Sequence, residues 1–518
     1  MRSVNHSTPA TTGTGHRVAL AGTPDGLEQL GTLVTAALDA VSAAAAERTG
    51  PLPAGGPDAA IAAVRDLVRD GGFLTDAPGP HRVEELFEAY AGWAADLTHP
   101  AAVSRMQCAP TPAAAAAELL AAVLNQSLHS WESGPFALEL ERRLIAEMAD
   151  WVGYGETASG TLTPGGSISN LMGLLLSRDH VLGGLTGDDI SHTGLAGRAI
   201  RPRILCSTAA HFSVARAAGF LGLGRDAVVR VPADERGRMI PEEARRLLDG
   251  FAPDEVPIAL VATAGTTDHG SFDPLPELAA LAAERRIWFH VDAAYGIGAL
   301  FSDTLRPLFD GLAEADSIAF DLHKFGWTPA SSSILLVRDR ARMSPLGQQA
   351  VYLNPPDDEA EGYTALLGTS LQTTRRADAF KIAASLLALG REGMGEWVDA
   401  CHSQARYAAA RITRDPDLEL LAEPILSTVV FRCRAGAAIE DESTWNAAVR
   451  RHLMAEGKAL LARTKVRRQD GQAQVHLKLV FLNPATTTQD IDALLDDVVA
   501  AAAEVRQSPK ARTPQTAH

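Results

Sequence analysis

Two short apolar runs in the chain each end in residues that could take part in catalysis. Residues 287–291 (IWFHV) lead to Asp292, and residues 317–320 (SIAF) lead to His323 and Lys324. Apolar, β-rich runs of this length are typical of buried parallel strands. Open α/β sheets bind their ligands in a crevice at the carboxyl ends of such strands. We therefore expect a carboxylate and an amine to face one crevice.

An aspartate and a lysine in this arrangement suit pyridoxal 5'-phosphate (PLP). The lysine can form a Schiff base with the cofactor, and the carboxylate can keep the pyridine nitrogen protonated so that the ring accepts electrons. Each residue alone has a simpler explanation, because Asp292 could cap a helix and Lys324 could be a solvated surface residue. Their joint occurrence after apolar strands, next to His323, favours the cofactor hypothesis.

Three further segments carry polar residues where predicted strands end. A glycine-bearing turn in residues 161–170 opens into a helix, where Gly166 and Ser167 could bind an anion such as a phosphate. His211 follows another predicted strand, and the threonine-containing segment 263–268 follows a third. Taken alone, these features are also explained by a capped helix, a core histidine and ordinary turn residues.

The pattern of the surrounding elements predicts an α/β fold. Between residues 203 and 338 strands alternate with helices, which indicates a mainly parallel sheet. Residues 348–374 lack a regular period and could form a mobile lid. Tyr352 in this segment could enter the site, although a plain surface position fits the spacing equally well. The predicted organisation is a disordered N-terminus (1–25), an N-terminal helical dimerisation segment (26–112), a large PLP-binding domain (113–374), a small C-terminal α+β domain (375–506) and a disordered tail (507–518).

Length, charge and cysteine content limit the possible functions. With 518 residues the chain can form two or three units with a sizeable core. A net charge of -16 without a basic cluster argues against nucleic acid and anionic membranes as partners. Four scattered cysteines predict neither a disulfide framework nor a metal site. A polar N-terminus, and no apolar run judged long enough to cross a bilayer, predict a cytoplasmic protein.

Six motifs together resemble the group II PLP-dependent amino acid decarboxylases. In chain order they are PGGSISNL, AHFSV, TAGTTD, HVDAAYG, DLHK and SLQTTRRADAFK, and the resemblance covers about residues 99–484. The segments LLAAVLNQSLHSWESGP, GTTDHGSFDPLPEL and LKLVFLNP are most similar to the branch that decarboxylates diaminobutyrate, lysine or ornithine. The resemblance implies a fold type I enzyme, similar to aspartate aminotransferase, that forms a homodimer with active sites near the subunit interface.

The resemblance also implies a role for each residue of the site. Lys324 would carry the cofactor covalently, and Asp292 would pair with its ring nitrogen. His211 and Ala294 would lie on opposite faces of the ring. The remaining implied roles are phosphate binding by Gly166, Ser167 and His323, a position near the ring for Thr267, and proton donation by Tyr352 from the closed lid.

Two positions depart from relatives. Asp321 stands where many relatives have asparagine, and a carboxylate there would repel a phosphate, so we do not expect direct contact. Thr374 stands where dopa-type decarboxylases tend to have glycine, which would narrow the substrate pocket against bulky aromatic side chains. We therefore expect decarboxylation of a basic aliphatic amino acid (diaminobutyrate, lysine or ornithine). The alternatives are an aromatic or glutamate decarboxylase, a transaminase or oxidative deaminase on the same fold, and a catalytically silent binding homologue.

Overall fold

The computed structural model describes residues 19–68, 73–74, 81–347, 350–435, 439, 441–467 and 472–507. The α-helices, in chain order, are α1 (Pro24–Glu47), α2 (Gly56–Leu67), α3 (Arg82–Trp93), α4 (Pro112–Leu124), α5 (Pro135–Trp151), α6 (Gly166–Thr186), α7 (Ile190–Thr193), α8 (Ser213–Phe220), α9 (Pro241–Asp249), α10 (Leu275–Arg285), α11 (Leu322–Phe325), α12 (Pro356–Ala360), α13 (Asp378–Arg414), α14 (Glu442–Ala455) and α15 (Thr488–Gln507). The strands are β1 (Ala102–Val103), β2 (Ser159–Thr163), β3 (Arg201–Ser207), β4 (Val228–Val231), β5 (Glu255–Thr263), β6 (Trp288–Asp292), β7 (Ser317–Asp321), β8 (Ser333–Val337), β9 (Leu418–Leu420), β10 (Thr428–Cys433), β11 (Leu460–Arg467) and β12 (Ala473–Val480).

A seven-stranded sheet forms the centre of the larger of two compact units, which contains residues 48–61 and 94–518. Its strand order is β2-β8-β7-β6-β5-β3-β4. Strands β3 to β7 are parallel to one another, whereas β8 is antiparallel to both β7 and β2. Because β6, β7 and β8 are buried along their whole length, their sequences are nearly continuous apolar runs. The predicted α/β class with a mainly parallel sheet is confirmed.

A second sheet lies in the C-terminal part of this unit, with the order β1-β11-β12-β10-β9. All its pairs are antiparallel except β1 with β11. The sequence predicts strands over residues 427–433 and 474–481, which are present as β10 and β12, whereas β1, β9 and β11 were not predicted. The sequence predicts a helix over residues 375–390. The observed helix α13 continues to Arg414, with a kink at Gly390, whose dihedral angles are non-helical (φ 65°, ψ 175°). The domain limits given from the sequence stay predictions.

Among the described residues, the smaller compact unit contains residues 19–47, 62–68, 73–74 and 81–93, and within it α1 packs against α3. The spacing of apolar residues predicts helices over residues 26–46 and 83–95, and these are present as α1 and α3. The expectation that no apolar run could cross a bilayer is wrong for α1 by length and composition, since its most apolar window has a mean hydropathy of 1.3. One such helix near the N-terminus is weak evidence for a membrane span, because signal sequences and helices of soluble proteins meet the same criteria.

Candidate active site

The carboxyl ends of several strands bring the predicted residues to one edge of the central sheet. In the ladder, Thr163 of β2 pairs with Ser333 of β8, and Ser333 pairs with Asp321 of β7. On the other side, Asp292 at the end of β6 pairs with Thr263 at the end of β5. Because β2 runs in the same direction as β7, the turn that follows Thr163 reaches the same edge as the α11 residues.

Asp292 is a buried carboxylate that is held by two donors. Its side chain is almost completely removed from solvent (4% exposed). The side-chain amide of Asn170 donates to Asp292 Oδ2 over 2.8 Å, and the backbone N–H of Ala294 donates to Oδ1 over 3.1 Å. These bonds fix the carboxylate at the strand end, where it can serve as a stationary anionic partner for a cationic ligand group.

Lys324 forms an ion pair at the end of the adjacent strand. Its Nζ lies 2.8 Å from Asp321 Oδ2, and the hydroxyl of Ser333 donates to Asp321 Oδ1 over 2.5 Å. Burial raises the pKa of Asp321, but the charges of Lys324 and His323 outweigh this effect, so its pKa is lowered. The ionised Asp321 therefore fixes the position of the lysine amine.

His323 lies beside the same ion pair. Burial lowers the pKa of His323 and outweighs the opposing charge of Asp321. Its Nδ1 accepts a hydrogen bond from the backbone N–H of Ser332 (3.2 Å), and Nε2 lies 3.5 Å from Asp321 Oδ2. Because Nδ1 is an acceptor, the proton of the uncharged ring lies on Nε2, next to Asp321.

The start of α6 approaches the Lys324 ion pair very closely. A Cβ atom placed on Gly166 would lie 3.0 Å from Asp321 Oδ1 and 3.1 Å from the Cβ of Ala294. Only glycine therefore fits without displacing its neighbours. Helix α6 begins at Gly166 itself, earlier than predicted. Its free backbone N–H groups therefore lie in the space beside Asp321 and Ala294, which we call the cofactor cradle.

His211 lies in the turn after β3, and its ionisation responds to the other residues of the crevice. Burial lowers the pKa of His211; the charges of Asp292 and Asp321 oppose this effect, and the charge of Lys324 adds to it. Hydrogen bonds through Ser213 and Asn170 link His211 to Asp292. A Cβ on Gly166 would lie next to both Ala294, two residues after Asp292, and Asp321, the ion-pair partner of Lys324. The ring also contacts Phe212, with a centroid distance of 4.1 Å.

The remaining predicted residues lie at the surface or at the margin of this cluster. Ser167 is exposed in the first turn of α6. Thr267 is half-buried, and its carbonyl accepts a hydrogen bond from Lys478 (2.9 Å). Tyr352 is 84% exposed and lines a cavity of about 500 Å³. Thr374 is exposed and follows directly after the lining of that cavity. The structure thus brings together Gly166, Ala294, Lys324, His323, Asp292 and His211, and it leaves the side chain of Tyr352 facing solvent.

Four polar residues of the site were not identified from the sequence: Asn170, Ser213, His290 and Ser317. They form a buried hydrogen-bonded chain that ends at Asp292 and His211. The alternation in β6 was the available signal, because successive side chains of a strand point to opposite faces. Trp288, His290 and Asp292 therefore share one face and Phe289 and Val291 the other.

These residues fit PLP. The crevice contains an amine, a buried carboxylate, an imidazole and the start of a helix at Gly166, where a Cβ would crowd Asp321 and Ala294. In addition, the hydroxyl of Thr263, beside Asp292 in the ladder, is buried without a hydrogen-bond partner among the residues that the structure describes. The Asp321 carboxylate lies near Gly166, and Lys324 and Ser333 engage both of its oxygens.

The fold and this site define a PLP-dependent carboxy-lyase. Residues 94–434 match the pyridoxal-dependent decarboxylase conserved domain, and the chain belongs to this family of amino acid decarboxylases. It is 39% identical over 408 residues to L-2,4-diaminobutyrate decarboxylase from Rhizobium meliloti (strain 1021), and the aligned region covers 79% of each protein. It is 33% identical over 435 residues to L-2,4-diaminobutyrate decarboxylase from Acinetobacter baumannii, and the aligned region covers 82% of this chain and 84% of that protein.

A solved structure with the same fold comes from Vibrio parahaemolyticus. It is the glutamate decarboxylase domain of diaminobutyrate-pyruvate transaminase and L-2,4-diaminobutyrate decarboxylase. The TM-score is 0.81 at 30% identity, and the match covers 93% of this chain and 97% of that one. The predicted family, its diaminobutyrate-related branch, the fold type I class and the cofactor are confirmed.

Proposed function

We propose that the protein decarboxylates L-2,4-diaminobutyrate to 1,3-diaminopropane and carbon dioxide. The observation that carries this proposal is the 39% identity, over 79% of both chains, to an enzyme of that name. The substrate has a second ammonium group, and the net charge of -16 favours the approach of cationic ligands. Lysine and ornithine are longer homologues of this substrate and serve as its competitors in the test below.

Each residue of the crevice has a defined task in this reaction. When bound, PLP supplies the electron sink that accepts the electron pair of the broken carbon–carbon bond. Lys324 would hold the cofactor through its amine. Asp292, fixed by Asn170, would keep a proton on the ring nitrogen. His211 would lie against the ring, and Gly166, Ser167 and His323 would bind the phosphate.

Tyr352 returns a proton to the substrate carbon after carbon dioxide leaves. Its position in the irregular segment and the cavity it shares with Gln372 and Thr373 support this role. Because its side chain is 84% exposed in the free protein, the segment must move to deliver the hydroxyl to the crevice. Replacement of Tyr352 by phenylalanine, which removes only the hydroxyl, should lower kcat at least tenfold and leave cofactor affinity unchanged. Unchanged kcat would exclude Tyr352 as the proton donor.

The working form is a cytoplasmic homodimer. Large apolar side chains are exposed on several helices, among them Leu38 and Val41 on α1 and Leu120 and Leu124 on α4, as expected for surfaces that a second subunit covers. Sedimentation equilibrium should give twice the chain mass of 54.7 kDa. A monomer at micromolar concentration would contradict this assembly.

Carbon dioxide release from a panel of amino acids tests the substrate assignment. The panel contains diaminobutyrate, ornithine, lysine, glutamate, histidine, tyrosine and dopa. One methylene group changes discrimination by roughly 10–200-fold, so kcat/KM for diaminobutyrate should exceed that for ornithine at least tenfold. A preference for an aromatic or acidic substrate would overturn the assignment, and formation of a keto acid would indicate a transaminase instead.

Two variants of Lys324 provide the matched control for catalysis. Lys324→Ala should abolish turnover and the visible absorbance of the lysine-bound cofactor. Lys324→Arg keeps a cation next to Asp321, so the fold remains stable, but it cannot attach the cofactor. Both variants should therefore be inactive. Normal turnover in the arginine variant would refute covalent attachment at this position.

A further inference from the structure

A buried chain of hydrogen bonds crosses the site from Trp288 to His211. Trp288 Nε1 lies 2.8 Å from Ser317 Oγ, which lies 2.7 Å from His290 Nδ1. His290 Nε2 lies 2.9 Å from Asn170 Oδ1. The Asn170 amide nitrogen then reaches both Asp292 Oδ2 (2.8 Å) and Ser213 Oγ (2.9 Å), and Ser213 Oγ lies 2.8 Å from His211 Nδ1.

At the Trp288 end of this chain, the donor and acceptor of each hydrogen bond are fixed. An indole N–H can only donate, so Ser317 Oγ accepts from Trp288. Ser317 is fully buried, and its own proton is satisfied by donation to His290 Nδ1. His290 then carries its proton on Nε2 and donates it to Asn170 Oδ1. Burial lowers the pKa of His290 to about 4, which agrees with a neutral ring.

The Asn170 amide, in the middle of the chain, independently gives the same order of donors and acceptors. An ionised carboxylate can only accept, so Asn170 turns its amide nitrogen toward Asp292 and its oxygen toward His290. The opposite orientation would place two acceptors against each other at Asp292. The second amide proton of Asn170 is donated to Ser213 Oγ, which leaves the Ser213 hydroxyl proton for His211 Nδ1.

The last link fixes the tautomer of the catalytic histidine. His211 Nδ1 also faces the backbone N–H of Ser213 at 3.3 Å, and a backbone N–H is always a donor. We infer that Trp288, Ser317, His290, Asn170 and Ser213 form a directional relay that keeps the proton of His211 on Nε2 and holds the Asp292 carboxylate in place. His290, Asn170 and Ser213 are positioning residues, since they act through His211 and Asp292.

The relay has a functional consequence for the neutral ring of His211. With Nδ1 fully engaged as an acceptor, the imidazole can donate only from Nε2, and it cannot rotate without losing two hydrogen bonds. Its ring plane is therefore set before any ligand arrives. Such preorganisation means that the imidazole does not have to reorient when a ligand binds.

Histidine tautomers in the cofactor-free, full-length protein test this inference directly. Long-range proton–nitrogen correlation spectra of 15N-histidine-labelled protein distinguish a protonated Nε2 from a protonated Nδ1. The chain has 15 histidines, so the His211 and His290 signals are assigned by their loss in His211→Gln and His290→Gln. Both residues should show a single tautomer with the proton on Nε2. A protonated Nδ1 on either residue in the wild type would overturn the relay.

Variants of Ser213 separate a relay from a merely structural role. Ser213→Ala removes the hydroxyl that donates to His211 Nδ1, whereas Ser213→Thr keeps it. The alanine variant keeps only the longer backbone N–H contact to Nδ1 (3.3 Å) and loses the 2.8 Å contact of the hydroxyl, so a second His211 tautomer should appear with the His290 signal unchanged. Threonine should restore the single tautomer. In the holoenzyme the alanine variant should lower kcat at least fivefold with KM within twofold. An unchanged His211 signal in the alanine variant, or no rescue by threonine, would refute the inference.

Discussion

Breaking one buried ion pair next to the site should destabilise the protein far more than breaking an exposed pair on the same helix. Arg375 Nη1 lies 2.7 Å from Glu141 Oε1 of α5, and the two side chains are only 6% and 2% exposed. The guanidinium also donates to the carbonyl of Leu162 on β2 over 3.3 Å. The pair therefore joins α5, the strand that leads to Gly166 and the chain that follows Thr374.

The exposed pair between Arg143 and Glu147 is a matched control. It has the same residue types and the same 2.7 Å distance, but its side chains are 74% and 50% exposed. Removing one partner of a buried pair costs about 3–5 kcal/mol because the other charge stays buried. An exposed pair contributes at most about 1 kcal/mol. Glu141→Gln should therefore lower the free energy of unfolding by roughly 3 kcal/mol more than Glu147→Gln.

Thermal unfolding followed by circular dichroism measures this difference. At roughly 2 °C per kcal/mol for a large domain, Glu141→Gln should lower Tm by about 6 °C and Glu147→Gln by less than about 2 °C. Replacing both charges, in Glu141→Leu with Arg375→Met, should recover most of the loss because no buried charge remains. Equal Tm shifts for the two single variants, or a double variant less stable than Glu141→Gln, would refute the reasoning.

Two further predictions concern the crevice. Gly166→Ala should weaken PLP affinity at least tenfold, because the new Cβ would lie 3.0 Å from Asp321 Oδ1 and 3.1 Å from Ala294 Cβ. Gly184→Ala in the same helix is the control, since its Cβ would meet no atom within 4 Å and PLP should bind normally. Equal PLP affinities of the two variants would contradict the prediction. Burial lowers the pKa of His290 from 6.5 to about 4, so the unfolded protein takes up a proton on this residue at a higher pH than the folded protein does. The stability that is present above pH 6.5 is therefore lost as the pH falls to 4. The loss in the free energy of unfolding is up to about 3 kcal/mol. Tm measured from pH 7 to 4.5 should fall more steeply for the wild type than for His290→Gln, and parallel curves would exclude this linkage.

The sequence predicted the sheet and the residues at its strand ends for physical reasons. Buried parallel strands are nearly continuous apolar runs, so β6 and β7 and the residues that follow them were visible at once. Glycine next to a helix start marked the turn before α6. The prediction placed the helix start after Asn170, whereas the helix begins at Gly166. Periodicity does not detect this shift, since the first helical turn is polar and resembles a cap.

Features that depend on contacts between distant segments could not be predicted in this way. Strand β1 has two residues and exists only because β11 pairs with it. Ser317 and Asn170 are common residue types whose role arises only when β7 and α6 pack against His290. The solvent-facing position of Tyr352 depends on the conformation of an irregular segment, for which sequence spacing gives no register. The local sequence pattern thus predicted the strand ends, whereas the polar network between them depends on tertiary packing and was not predicted.

One face of α6 explains why the cofactor cradle and the relay occur together. Gly166, Asn170 and Gly173 are spaced by four and three residues, so they lie on the same side of the helix. Gly166 admits the carboxylate of Asp321, and a Cβ on Gly173 would lie 2.7 Å from the His290 ring, so both glycines let the helix approach the sheet closely. Asn170, between them, is the residue that contacts both His290 and Asp292. Because one helix face meets both the cradle and the relay, rotation of α6 about its axis would disturb cofactor binding and the tautomer of His211 at the same time.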